Sequence, residues 1–462
     1  MRKFFLFLGI AVVVVVAALG GLAWAFFDRF YASPPAADTP AASSALAAQR
    51  QDLDYLRTLV GMDRSFSDAH RAEALDRITV LEKSTPLLEP AKLHVAVMQI
   101  MALADNGHTH GRIMSDKYPP QMLPVRVARF AEGFFIMRAT APVADLLGGR
   151  LLSIDGIPFE TVLARLETLT GGQENYRRNN AADYVIVQDM LYGLGIAHDP
   201  YRSEWTVQLP SGETLTRTLI AAPLRKGDDF PSNTRWLSTD PAKGMGAEWR
   251  TYQPASGRLP VSLQRFDTYF LHFSVPHSCA EYVRIQDIID TDGQAIQPFL
   301  KETLDWLRTH PRCAAIVDLR YDGGGDYTNM WRFTHQLPSL TKRIFVLTDP
   351  ETFSAAITST AFLKEQGGNR TTIVGEPVGD RLAFYAEGNG GCLPNSKLCV
   401  RYATGKHDYA RPCTDWRICF WTNWVYPVRV KTLAPDVPVP LRFADWDTGH
   451  DAAYERAVAL AR

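Results

Sequence analysis

The chain has 462 residues, of which 46% are hydrophobic and 21% are charged, and its net charge at pH 7 is −1. A chain of this length exceeds what a single compact core supports, so we expect two or three domains. The balanced charge, with no basic block, argues against nucleic acid as a partner.

The N-terminus is predicted to span a membrane. Arg2 and Lys3 precede an uncharged stretch from Phe4 to Phe27, which is long enough to cross a bilayer as a helix. The basic residues predict a cytoplasmic N-terminus and an exported remainder. The small-x-small segment 23–25 also fits a signal cleavage site, which would leave a soluble periplasmic protein. We expect an uncleaved anchor, residues 1–27, in a bacterial-type inner membrane.

Composition and periodicity divide the rest of the chain. Alanine and proline at 28–48 predict a tether, apolar spacing at 49–118 predicts helices, and alternation at 119–222 predicts a β-rich domain. Residues 223–262 have the composition of a linker, and residues 263–462 form the last predicted domain. The aromatic run 416–424 within it is interpreted as covered core or a binding wall.

The region 314–379 carries the strongest pattern. Short apolar runs at 314–317, 344–347 and 371–374 alternate with helical stretches, which predicts parallel buried strands. A glycine cluster and Ser354 fall after strand ends, where such folds place their chemistry. Ser354 precedes a predicted helix, so it is either an N-cap or a nucleophile whose neighbouring amide, that of Ala355, faces an oxyanion.

Three motifs in this region resemble those of one peptidase family. The run from Asp318 to Gly325 resembles the Asp-Leu-Arg-x-Asn-x-Gly-Gly motif of the tail-specific and C-terminal-processing serine peptidases. The segment 353–356 resembles their nucleophile motif, and 375–379 resembles their Gly-Glu-x-Thr-x-Gly motif. The resemblance covers about residues 265–445 and implies a crotonase/ClpP-like α/β domain of stacked β-α units.

The resemblance also implies a catalytic base. The lysine that the bacterial processing enzymes carry about 25 residues after the serine is absent here, where the chain reads Gly379-Asp380-Arg381. Tricorn-type relatives of the same clan carry Asp-x-Gly-His-Thr before the PDZ-like region, and the run 105–109 matches it. The implied roles are nucleophile for Ser354, general base for His108, and oxyanion donors for the amides of Gly324 and Ala355.

Other site residues are less constrained. Relatives use a glutamate after the serine to orient the histidine, and Glu387 is the preferred candidate here, with Asp380 as the other. Substrate contacts are assigned to Gly323, His110 and Arg112. Because the two histidines at 108 and 110 lack a third ligand at a metal-binding spacing, we expect no metal, and no cofactor is implied.

The segment Gly149–Pro158 resembles the strand–turn–strand of a PDZ domain, which would bind a peptide terminus by β-augmentation. An insert at 171–199 departs from a simple PDZ domain, so a purely structural lid is the alternative. The cysteines are even in number, which in an exported protein predicts disulfides. The expected pairs are Cys392–Cys399, Cys413–Cys419 and Cys279–Cys313.

The function expected from these features is a membrane-anchored, exported serine peptidase that cleaves polypeptides through an acyl-enzyme. One alternative is a catalytically inactive scaffold of the same fold that binds polypeptide ends in the periplasm. Another is a carrier of a small apolar ligand, as in other members of the clan. Assembly into a homo-oligomer, which occurs among relatives, is left open.

Overall fold

The computed structural model describes residues 2–37, 39–115, 117–224, 232–242 and 245–462. Residues 225–231 and 243–244, which belong to the predicted linker, lie outside the described residues.

Helix α1 (Arg2–Tyr31) covers the predicted membrane segment. Its part Val13–Tyr31 is long and apolar enough to cross a membrane. Leu22 and Trp24 are 69% and 70% exposed. A membrane span or a signal sequence would have this exposure, whereas a core helix would not.

Helices α2 (Ala45–Met62), α3 (Asp68–Lys83) and α4 (Pro90–Ala102) follow, and then the short strands β1 (His110–Ser115) and β2 (Gln121–Met122). The apolar faces of the three helices pack together and also against Val400 and Tyr402, far along the chain. The predicted helical region therefore shares one core with the C-terminal half of the protein. This contact places the turn after α4 beside the residues that follow Ser354.

The β-rich region folds into one antiparallel sheet that includes a strand from the predicted linker. Its elements are β3 (Val125–Phe130), β4 (Gly133–Thr140), β5 (Arg150–Ile154), β6 (Ile157–Pro158), α5 (Phe159–Leu166), α6 (Glu174–Tyr184), α7 (Gln188–Gly193), β7 (Arg202–Gln208), β8 (Thr214–Ile220), β9 (Ala222–Pro223) and β10 (Trp249–Thr251). The strand order is β10-β4-β5-β7-β8, with β3 on β4 and β6 on β5, while β9 pairs with β2. Helices α6 and α7 form the predicted insert, and β10 shows that residues 249–251 are not simply linker.

The C-terminal region has alternating strands and helices. In chain order they are β11 (Phe270–Ser274), β12 (Ala280–Ile285), α8 (Ile296–Thr309), β13 (Ala314–Asp318), α9 (Thr328–Leu340), β14 (Arg343–Thr348), α10 (Ala355–Gly367), β15 (Thr371–Gly375), β16 (Ala383–Ala386), β17 (Asn389–Cys392), β18 (Leu398–Tyr402), β19 (Gly405–Asp408), α11 (Thr422–Val425), β20 (Val437–Pro438), α12 (Phe443–Asp447) and α13 (Ala452–Ala461). The main sheet has the order β11-β12-β13-β14-β15-β20 and is parallel from β12 onward. The predicted apolar runs are β13, β14 and β15, so the expected mixed α/β architecture is confirmed.

The cysteines form the predicted pairs Cys279–Cys313, Cys392–Cys399 and Cys413–Cys419. The first joins neighbouring strands of the main sheet, the second closes the β17–β18 hairpin, and the third closes a loop after β19. Disulfides persist in oxidising compartments, so the pairs agree with a location outside the cytoplasm.

Candidate active site

Ser354 lies between β14 and α10, at the carboxyl end of the parallel sheet. Its backbone has φ 52° and ψ −117°, and its side chain makes no capping hydrogen bond to the helix. Positive φ at a serine is uncommon, and sparsely populated backbone conformations of this kind cost on the order of 1–3 kcal/mol. Ser354 therefore occupies the N-cap position of α10 without the side-chain hydrogen bond that the N-cap interpretation predicts. The result is a strained turn that presents a half-buried hydroxyl at the head of a helix.

The glycine loop after β13 packs directly against this turn. The amide of Phe353 donates to the carbonyl of Asp322 at 3.0 Å. Gly324 has φ 110°, and a Cβ built on it would lie 2.7 Å from the Cβ of Ser354 and 2.9 Å from the amide nitrogen of Ala355. Only glycine fits there, because any side chain would push the serine out of place. Gly323 faces open space.

The predicted oxyanion donors differ in their partners. The amide of Gly324 donates to Asp322 Oδ1 at 2.9 Å, so it is already engaged. The amide of Ala355 is the first of α10, and such an amide has no acceptor within its own helix. Of the predicted pair, Ala355 is therefore the better placed to meet developing negative charge.

Asp322 stands where the family motif has asparagine. Burial raises the pKa of this carboxyl well above its usual value, and the neighbouring Asp287 adds to the rise. The hydrogen bond from the amide of Gly324 lowers the pKa but does not offset the effect of burial. Its Oδ2 is buried and has no hydrogen-bond partner among the described residues. A protonated carboxyl has a donor as well as an acceptor. Burial therefore favours the protonated form of Asp322, which has a donor and an acceptor as asparagine does.

His108 lies at the turn after α4 and is 7% exposed. Its ring stacks on Phe353, which precedes Ser354, at 4.4 Å between centroids, and on Phe384 at 5.5 Å. Within the described part of the chain neither ring nitrogen has a hydrogen-bond partner. Burial lowers the pKa of His108 well below 6.5, and the nearby Arg401 lowers it further. The structure thus brings a neutral imidazole beside the serine turn but does not hydrogen-bond it to Ser354.

The predicted pairing of Glu387 with His108 is not formed. Glu387 follows β16, and its Oε1 lies 3.2 Å from Nε2 of His407 on β19. Its other oxygen accepts the hydroxyl of Tyr31 in α1. Burial by itself would raise the pKa of Glu387. The hydrogen bond and charge of His407, together with the hydrogen bond from Tyr31, outweigh the effect of burial, so the pKa of Glu387 lies below its usual value. The sequence around His407 carries no motif, and only the β16–β19 pairing reveals this residue.

A cavity of about 670 Å³ opens in front of Ser354. The polar side chains of Glu387 and His407 line it together with aromatic rings. Residues that line it also include Phe26, Phe27, Tyr327, Phe384, Phe420 and Trp421. His108 does not line this cavity; Phe384, whose ring stacks on both histidines, does.

Asp380, the other candidate acid, is 2% exposed and contacts the turn before His108. Burial raises its pKa to about 6, and the amides of Arg381 and Gly107 partly offset that rise. Its Oδ2 has no partner among the described residues. Asp380 therefore lies beside the histidine turn and accepts a hydrogen bond from the amide of Arg381.

The residues assigned to substrate contacts lie outside the cavity. His110 pairs across β1 and β18 with Arg401, and burial lowers its pKa to about 4. Arg112 and Gly323 are exposed. Among the described residues no cluster of three histidine, cysteine or carboxylate side chains suits a metal ion. Lys364 is bound to Asp436 at 2.7 Å and is not a base for Ser354.

No protein-family model matches the chain, and no curated protein matches it. It is similar to the crystal structure of a CPAF mutant, with 13% sequence identity, a TM-score of 0.60, and coverage of 90% of this chain and 97% of that chain. The chain is also similar to the structure of mature CPAF complexed with lactacystin, with 13% sequence identity, a TM-score of 0.58, and coverage of 90% of this chain and 98% of that chain. For the photosystem II D1 C-terminal processing protease the identity is 13%, the coverage 88% and 98%, and the TM-score only 0.39. The chain thus shares the fold of CPAF.

Proposed function

We propose that this chain is an exported, membrane-anchored serine peptidase of the tail-specific type, which cleaves polypeptides through an acyl-enzyme on Ser354. The observation that carries the proposal is the strained, uncapped backbone of Ser354 at the head of α10, in front of an open cavity. Strained residues persist only where their surroundings hold them, and they cluster at active sites. The disulfides and α1 support export and anchoring.

In the proposed reaction His108 takes the proton of Ser354 as Oγ attacks the carbonyl carbon of the scissile peptide bond. The proton then passes to the leaving amine, and an ester on Ser354 remains. Water, deprotonated by the same histidine, hydrolyses the ester. Burial keeps His108 neutral, which is the form a base needs, and the Ala355 amide stabilises the oxyanion. Catalytic hydrogen bonds that are absent without substrate often form only in the complex.

One observation favours a second candidate base for the same reaction. Glu387 and His407 form a carboxylate–imidazole pair, and both line the cavity that Ser354 faces. A carboxylate that orients a histidine is the arrangement used by many serine hydrolases. In this variant of the proposal Glu387 keeps the orienting role expected from the sequence, with His407 in place of His108.

The test is covalent labelling of the full-length protein in detergent with a fluorophosphonate probe. Wild type is compared with Ser354→Ala, His108→Ala and His407→Ala, and with Ser211→Ala as a control for an exposed serine. We expect labelling of wild type and of the control, and none of Ser354→Ala. The histidine variant that loses labelling identifies the base.

The inactive scaffold makes the opposite prediction. Folded wild type that takes no label, even with unfolded polypeptide present, would remove the hydrolase proposal and favour a peptide-binding role. Labelling that survives Ser354→Ala would place the reactive group elsewhere.

A further inference from the structure

Helix α1 is bound to the rest of the protein through its last two turns. The ring of Phe26 packs on Phe420 at 5.7 Å between centroids and on Trp421 at 6.3 Å. Phe30 packs edge-on against Phe420 at 5.3 Å and is only 3% exposed. The position of α1 therefore fixes where the body of the protein sits relative to whatever surrounds that helix.

Beyond these contacts α1 presents apolar side chains outward. Trp24 is 70% exposed and Phe27 is 60% exposed. The uncharged stretch from Phe4 to Phe27 would be about 36 Å long as a helix, against a hydrocarbon core of about 30 Å. If this stretch spans a bilayer, the turns that contact the body lie at its outer boundary.

A second apolar surface lies beside the end of α1. On the loop closed by Cys413–Cys419 the ring of Trp416 is 63% exposed, and in α11 Trp424 and Val425 are 50% and 54% exposed. Arg29 of α1 holds this loop. It donates to the carbonyl of Trp416 at 3.4 Å, and its guanidinium lies 4.1 Å from the centre of that ring. From the sequence, the aromatic run 416–424 is interpreted as covered core or a binding wall. It is covered only at its centre, where Phe420 and Trp421 also line the cavity in front of Ser354.

We propose that Trp416, Trp424 and Val425 form a membrane-contact surface that enters the headgroup layer of the bilayer crossed by α1. Tryptophan is enriched at that depth because its ring is apolar and its N–H is polar. The indole N–H of Trp424 already donates to the carbonyl of Cys413 at 2.9 Å, so its exposed ring has no polar group left to hydrate. Arg29 ties Trp416 to the end of α1, and Trp424 is bound to the same loop through Cys413, so both rings lie near the helix that crosses the bilayer. This proximity is why lipid is the occupant expected here.

The surface has a consequence for the cavity, which rests on the proposed function. Phe26, Phe27 and Trp421 all line the cavity in front of Ser354. The cavity therefore opens beside the bilayer surface. Its substrate class would be polypeptide segments that lie at or emerge from the membrane.

The experiment places the full-length protein in nanodiscs of phosphatidylcholine, either unmodified or brominated on its acyl chains near the headgroup. Bromine quenches tryptophan fluorescence on contact. All variants carry Trp24→Phe, so that α1 itself contributes no signal. In this background the double variant Trp416→Phe/Trp424→Phe is compared with Trp306→Phe. Trp306 is a half-buried tryptophan of α8 that stacks on His310.

We expect bromine-dependent quenching in the Trp24→Phe background, its loss in the double variant, and its retention in Trp306→Phe. The single variants should each lose part of the quenching, which covers the case in which the double variant folds poorly. Quenching unchanged by the double variant would overturn the proposal. Quenching of these rings by aqueous iodide but not by lipid bromine would also overturn it, because the rings would then face water. Quenching by neither reagent would overturn it as well, because a second copy or another protein would then cover the rings. None of these readouts requires activity, so a failed hydrolase proposal would not affect them.

Discussion

Tyr31, in the last turn of α1, donates its hydroxyl to Glu387, which also binds His407 in the wall of the Ser354 cavity. Helix α1 therefore reaches a carboxylate of the candidate site across 356 positions of sequence. A hydrogen bond to a charged group is worth more than one between neutral groups.

Tyr31→Phe removes that donor and is expected to destabilise the protein. The expected loss is about 1.5–3 kcal/mol, because the acceptor is a largely buried carboxylate. Tyr55→Phe is the matched control, since the hydroxyl of Tyr55 donates to the neutral carbonyl of Pro35 at 2.8 Å, and its loss should cost about 1 kcal/mol. The measurement is thermal unfolding of full-length protein in detergent. Equal losses in both variants would contradict a charged Glu387.

Gly324→Ala is expected to abolish or strongly slow fluorophosphonate labelling. The new Cβ would lie 2.7 Å from that of Ser354, and φ 110° is itself strained for alanine. Strain of about 1.4 kcal/mol in the labelling transition state would already slow labelling tenfold. Gly323→Ala is the control, because nothing lies within 4 Å of its added Cβ. A Gly324→Ala protein that labels like the control would show that the loop does not hold the serine.

Arg401→Met is expected to move the acid limb of the pH–activity profile to higher pH. Burial holds the pKa of His108 well below 6.5, and the charge of Arg401 lowers it further. The neutral base therefore persists into mildly acidic solution in wild type, and removal of the charge raises the pKa. The shift in kcat/KM should be from a few tenths to about one pH unit. Arg112→Gln, which changes an exposed arginine, should leave the limb in place.

If instead the acid limb is the same in Arg401→Met and wild type, His108 is not the titrating base. The comparison of His108→Ala with His407→Ala would then decide which imidazole accepts the proton.

Asp322→Asn is expected to stabilise the protein increasingly as pH rises. Burial raises the pKa of Asp322 in the folded protein well above 3.8, its value in the unfolded chain. Between the unfolded and the folded pKa, Asp322 is therefore ionised in the unfolded chain and protonated in the folded one. Linkage then favours unfolding more strongly at each higher pH. Asparagine removes this dependence and retains an acceptor for the Gly324 amide. Asp54→Asn, at an exposed carboxylate, serves as the control.

The quantity to compare is the free energy of unfolding at pH 4 and at pH 8. A difference between Asp322→Asn and wild type that does not grow with pH would mean that Asp322 is ionised in the folded protein. Labelling by the fluorophosphonate should be retained in the variant, since asparagine has nearly the same shape and keeps an acceptor for the Gly324 amide.

The sequence by itself determined the elements whose signals are local. The apolar runs that became β13, β14 and β15, the glycine loop, the serine at the head of α10, the apolar helix α1 and the cysteine pairs could all be predicted. Period, charge and turn chemistry act over a few residues, so the sequence displays them directly. It left open whether Ser354 is a cap or a nucleophile.

Only the tertiary structure decided the positive φ of Ser354 and its missing capping bond, because both are properties of coordinates. It also decided that Glu387 binds His407 and Tyr31 rather than His108, and that Gly324 donates to Asp322. The contacts of Glu387 join residues distant in sequence, and the direction of a side chain depends on packing that no local pattern encodes. The candidate site is therefore predicted in outline from the sequence, while its hydrogen bonds and its proximity to α1 are set by the packing of β16, β19 and the last turns of that helix.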